Sequence, residues 1–135
     1  MTAPRGVHHV AIKVRDLASV EPFYRDLLGL PVIKRWLDTD GQNERAIWVD
    51  AGDGGFVALE VAKSGGSKRP GSEEQPGLFF LALRIGTGDR GYWEQRFAAA
   101  GVAVYHRTNF TIYVRDPEGN RIALSHYPEK ADEKR

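Results

Sequence analysis

Two stretches of this chain repeat one pattern. His8-His9-Val10-Ala11-Ile12-Lys13-Val14 and Phe79-Phe80-Leu81-Ala82-Leu83-Arg84-Ile85 share the same alternation, with an alanine and a cation in register. Each opens the same order of elements: a strand, a helix closed by Gly29 or Gly101, then three short strands. A duplicated unit constrains the fold strongly, because the two copies must share one architecture. It also implies a cavity shared between two halves, where function concentrates.

The 135 residues suit a single domain built from two half-modules. With 19 Lys and Arg against 18 Asp and Glu, the formal charge is +1, which argues against nucleic acid as a partner. The chain has no cysteine, so disulfides, thiolate metal sites and cysteine nucleophiles are excluded. Any metal would need His, Asp, Glu or water. No run approaches the roughly 18 apolar residues of a membrane span, and the opening Met1-Thr2-Ala3-Pro4-Arg5-Gly6 lacks a leader's apolar stretch, so no membrane association and a cytoplasmic location are expected.

Alternation over 7–14 predicts a strand. Polar caps at Asp16 to Ser19 precede Val20, Phe23, Tyr24, Leu27 and Leu28 at helical spacing, with Pro22 placed in the first turn and Gly29 as the stop. Strands are predicted near 32–37, 46–50 and 55–62, which completes module one over 7–62. A Gly, Ser, Pro and charge-rich linker spans 63–77. Module two, 78–127, repeats the plan: strand 79–85, Asp89 as cap, helix 90–100, then strands near 102–106, 110–115 and 120–126. The tail 128–135 is almost all charge and is expected to be solvated. Spacing between matched positions makes the loop around Asp38 to Arg45 longer in module one by about seven residues, which is read either as a cavity-rim loop carrying substrate contacts or, equally, as a solvated insertion.

Because strand residues alternate faces, each strand divides into a helix-packed set and an opposite set. The opposite set is His9, Ala11 and Lys13, then Phe56, Ala58 and Glu60, joined by Trp48. In module two it is Phe80, Ala82 and Arg84, then Arg121, Ala123, Ser125 and Tyr127, joined by Tyr113. Together they predict a roomy aromatic pocket with a few charged groups, as a small-molecule site requires. His9 and Glu60 are the candidate acid and base. Lys13, Trp48, Phe56, Phe80, Arg84, Tyr113 and Arg121 are the candidate substrate contacts. His8, on the face opposite His9, is read as no ligand, and His126 as facing the helix.

The string from His9 to Leu17, followed by Phe23-Tyr24-Arg25-Asp26-Leu27-Leu28-Gly29-Leu30, resembles the opening of the vicinal oxygen chelate superfamily, which includes glyoxalase I, extradiol dioxygenases, fosfomycin-resistance enzymes and bleomycin-resistance proteins. Tyr113-Val114-Arg115-Asp116-Pro117-Glu118-Gly119-Asn120-Arg121-Ile122 resembles its final hairpin. The resemblance implies an α+β fold of paired βαβββ modules forming an open, half-barrel mixed sheet with helices on the outer face, assembled as a homodimer. In metal-using members, the first and last strands of each module supply the ligands.

Carried over residue by residue, His9 fills the first ligand position, Phe80 replaces the second, and Ile122-Ala123-Leu124 lacks the last-strand carboxylate. Glu60 lies two residues past the remaining position, so a bulge or slip would be needed to bring it there. Two readings therefore stand. One is a binding protein with a degenerate metal site and a planar or anionic ligand. The other is a lyase, isomerase or dioxygenase using a divalent metal (Ni, Mn, Fe or Zn) at His9 and Glu60. A role in protein interaction has no motif behind it.

Overall fold

The computed structural model describes residues 2–63 and 76–130. The chain divides into two units, Met1–Lys68 and Arg69–Arg135, and each holds one βαβββ module. Most of the linker expected at 63–77, and the end of the charged tail, lie outside the described residues.

In the first unit, β1 (His9–Val14) leads to a helix, α1 (Leu17–Pro22), and then to β2 (Val32–Leu37), β3 (Glu44–Gly52) and β4 (Gly55–Val61). The sheet order is β1-β4-β3-β2, with β1 parallel to β4 and the other pairs antiparallel. A parallel pair needs a long crossover, and the helix with β2 and β3 supplies it. Asp16 caps α1 by accepting from the Ala18 N–H at 3.1 Å. Pro22 is the last residue of α1, not part of its first turn. Lacking an N–H, it cannot continue the bonding ladder, and the chain widens into a π-helical turn, Phe23–Leu27. Gly29, at φ 76°, then ends the helical segment. Val20, Phe23, Tyr24, Ile47, Val49, Val57 and Leu59 are all buried, and α1 packs against β3 and β4.

The second unit runs β5 (Leu81–Arg84), a 3-10 turn at Thr87–Asp89, α2 (Arg90–Ala99), β6 (His106–Arg107), β7 (Thr111–Arg115) and β8 (Arg121–Ser125), in the order β5-β8-β7-β6. Its parallel pair, β5 with β8, matches β1 with β4. The strand expected over 102–106 is reduced to two residues. The Val102 N–H is spent on the Phe97 carbonyl at 2.9 Å to close α2, so pairing with β7 starts only near Tyr105.

The Asp116-to-Asn120 turn joins β7 to β8. Buried Asp116 accepts from the Glu118 N–H at 2.8 Å, the Asn120 N–H at 2.9 Å and Asn120 Nδ2 at 2.9 Å. One side chain thus satisfies the turn, as Asx residues do in tight connections.

Candidate functional site

Register decides which side chains share the face away from α1. Across β1 and β4 the partners are His9 with Phe56, Ala11 with Ala58 and Lys13 with Glu60. Across β4 and β3, Ala58 faces Trp48 and Glu60 faces Ala46, and across β3 and β2, Trp48 faces Lys34 and Ala46 faces Trp36. Side chains at paired positions point to the same side of a sheet. The face predicted from alternation is therefore one continuous surface over all four strands.

That surface carries an aromatic row. The rings of His9 and Phe56 are parallel to within 1° with centroids 4.5 Å apart, and Trp48 stacks on Phe56 at 4.4 Å. Trp36 continues the row at 5.2 Å from Trp48. Such offset pairs contribute about 0.5–1.5 kcal/mol each beyond the area they bury. Lys34 Nζ lies 4.7 Å from the Trp36 ring centre and the Arg45 guanidinium 5.4 Å, so cations border the row at its β2 end. Trp36 and Lys34 were missed from sequence, although Trp36 follows Lys34 at the two-residue period that puts both on this face.

Ala58 is only 1 % exposed, and Ala123 is fully buried. Each sits directly opposite an aromatic residue, Trp48 or Tyr113, so the space beside it is filled. Ala11 and Ala82 remain exposed.

The register of β1 with β4 runs unbroken from His9–Phe56 to Val14–Val61. The slip that would bring Glu60 toward His9 does not occur. Glu60 pairs with Lys13, four residues along the strand from His9, which is roughly 13 Å at about 3.3 Å per residue. Lys13 Nζ is 3.9 Å from Glu60 Oε1, and both side chains are substantially exposed, so the ion pair contributes little. His9 meets its own sequence neighbour instead: His8 Nδ1 and His9 Nδ1 are 3.0 Å apart. The expectation that His8 is turned away from His9 is overturned. His8 precedes β1, where pleating does not yet enforce alternation.

The second unit repeats the geometry with different chemistry. Phe80 meets Tyr113 edge to face at 5.1 Å, and the Arg121 guanidinium lies 5.3 Å from the Phe79 ring centre. Tyr113 faces Ala123, and Arg84 faces Ser125 and is exposed. Buried His126 belongs to the other side, between the Glu129 carbonyl and Arg90, whose Nη1 is 3.3 Å from its Nε2.

Of the four positions at which the resemblance places metal ligands, His9 alone has a donor side chain; the others are Ala58, Phe80 and Ala123. Among the described residues, no three or more His, Cys, Asp or Glu side chains converge. Divalent ions of the Mg²⁺ or Mn²⁺ type are held mainly by oxygen ligands, and these residues do not fit one.

An ion-pair network links α1 to β2 and β3. Glu21 accepts from Arg35 at 2.6 Å and from Arg25, and Arg35 also reaches Glu44 at 3.0 Å. The Arg35 hydrogen bond is the main cause holding the Glu21 carboxyl below its ordinary value; burial opposes it. A carboxyl lowered on folding stabilises above its unfolded value and loses that contribution as pH falls through its folded value. Glu21→Gln should therefore cost about 1–2 kcal/mol at pH 7, after discounting for the exposed arginines, and the difference from wild type should shrink below about pH 4. Urea unfolding at both pH values checks this; an equal difference at each would contradict it.

The Asp38-to-Arg45 loop contains a turn held by its own side chains. The Asp40 carboxylate accepts from the Gln42 N–H at 2.8 Å, the Asn43 N–H at 3.1 Å and Asn43 Nδ2 at 2.8 Å.

A family model described as the Glyoxalase/Bleomycin resistance protein/Dioxygenase superfamily matches residues 6–124. Among solved structures, a glyoxalase/dioxygenase from Nostoc punctiforme is 24% identical with a TM-score of 0.73, covering 96% of this chain and 97% of its own. Lactoylglutathione lyase from Agrobacterium tumefaciens is 22% identical with a TM-score of 0.64, covering 93% and 96%. A fosfomycin resistance protein from Listeria monocytogenes, complexed with Mn(II) and sulfate ion, is 16% identical with a TM-score of 0.69, covering 92% and 93%. No curated protein matches. Likeness at these identities establishes the fold and leaves the reaction open.

Proposed function

Since the chain belongs to the glyoxalase/bleomycin resistance protein/dioxygenase superfamily, we propose that it binds a planar, anionic small molecule without using the family's metal chemistry. The observation that carries this reading is the aromatic row from His9 through Phe56 and Trp48 to Trp36, bordered by Lys34 and Arg45. Ring surfaces favour a flat ligand, and the cations favour a carboxylate or phosphate on it. Lys13 on the same face, and Phe80, Tyr113, Arg84 and Arg121 in the second unit, are the further proposed contacts. The reading includes a cytoplasmic homodimer, which light scattering at micromolar concentration tests by mass.

The alternative is a lyase, isomerase or dioxygenase acting on a small oxygenated substrate through a divalent metal at His9 and Glu60. The Mn(II)-bound Listeria relative favours it. Against it stands the register, which pairs Glu60 with Lys13 and separates it from His9 along the strand.

A thermal-shift screen separates the two. Planar aromatic carboxylates and phosphates should raise the melting temperature in the presence of chelator, and uncharged analogues should raise it less. Stabilisation by Mn²⁺, Ni²⁺, Fe²⁺ or Zn²⁺ with none from any planar anion would remove the binding reading.

A further inference from the structure

We propose that His8 and His9 form a two-imidazole chelating site for a transition-metal ion of the Cu²⁺ or Ni²⁺ class, separate from the four-ligand pattern considered above. Both side chains are exposed, their rings lie at 75° with centroids 5.2 Å apart, and their Nδ1 atoms are 3.0 Å apart. Two metal–nitrogen bonds of about 2.0–2.1 Å at a right angle put their nitrogens about 2.9 Å apart, whereas a tetrahedral angle needs about 3.4 Å. The 3.0 Å spacing, set here by a hydrogen bond, is close to that of a cis pair in a square-planar or tetragonal shell, so rotation of the rings turns both lone pairs to one Cu²⁺ or Ni²⁺ ion, a shell that Zn²⁺ does not favour.

The rings are already held. His9 stacks on Phe56, and His8 meets the same ring edge to face at 5.6 Å. Ordering the two donors thus costs less than it would for free side chains. Without metal, one Nδ1 carries the hydrogen that the other accepts. On binding, that proton moves through solvent to Nε2 of its own ring, so both rings ligate through Nδ1 lone pairs with no net proton release. His8 also lines an open cavity of about 580 Å³ with Asp53 and Arg5. Water fills the remaining positions. The cation Arg5 shares the cavity, so affinity rests on the imidazoles.

Cu²⁺ titrated into the untagged full chain, against glycine as competitor and followed by electron paramagnetic resonance, tests the site. The expected result is one ion per chain with hyperfine structure from two nitrogens, and at least tenfold weaker binding in both His8→Ala and His9→Ala. His106→Ala, which removes an exposed histidine of the second unit, should bind as wild type. Unchanged affinity in His8→Ala, or a loss in Glu60→Gln equal to that in His9→Ala, would overturn the proposal. Failure here leaves the planar-anion reading intact, because that reading is tested in chelator.

Discussion

Replacing Asp116 with alanine is expected to destabilise the protein by about 3 kcal/mol, lowering the melting temperature on the order of 10 °C. The Asp116 side chain is 4 % exposed and accepts three hydrogen bonds, two from the backbone N–H groups of Glu118 and Asn120. Alanine leaves both donors without that acceptor, and Glu118 and Asn120 are themselves buried, so water reaches the turn poorly. Losing a charge-assisted hydrogen bond costs about 1.5–3 kcal/mol, and partial relaxation of the turn keeps the total below the sum. Asp116→Asn retains an acceptor oxygen and should lose less than half as much. Equal stability of Asp116→Ala and wild type in urea would mean that the turn is held by other contacts.

Trp48→Ala is the second large effect, and it bears on function. Trp48 sits in the middle of the row, with Phe56 at 4.4 Å on one side and Trp36 at 5.2 Å on the other. Removing it splits the ring surface and opens the space above Ala58, its partner across the sheet. Central aromatic anchors commonly cost 2 kcal/mol or more when truncated, so affinity for a planar anion should fall roughly thirtyfold. Phe79→Ala, which removes an exposed ring of the second unit, serves as the comparison and should change affinity less than threefold. Wild-type affinity in a Trp48→Ala protein that still unfolds cooperatively would show that the ligand does not use the row.

The duplicated plan was legible because alternation and helix stops act locally. His9 to Val14, Gly29 and Gly101 announce themselves by period and by backbone freedom. The division of faces followed from the same alternation, and it placed His9, Lys13, Trp48, Phe56 and Glu60 together on one surface. What alternation does not encode is register. Only the pairing of β1 with β4 shows that Glu60 stands beside Lys13 and not beside His9, and that pairing depends on how the β3–β4 turn closes. The His8–His9 contact was hidden for a related reason, since alternation was applied one residue before the strand begins. Pro22 was misplaced because the helix starts at Leu17, directly after the Asp16 cap and earlier than a polar run reaching Ser19 suggested, and the π-helical turn after it has no simple periodic signature.

Isothermal titration of the best planar anion from the thermal-shift screen, with and without excess chelator, tests the central claim most directly. The account predicts a dissociation constant that is the same in both conditions and is weakened at least tenfold by Trp48→Ala. Binding that disappears with chelator, returns with Mn²⁺ or Ni²⁺, and is lost in Glu60→Gln would contradict it.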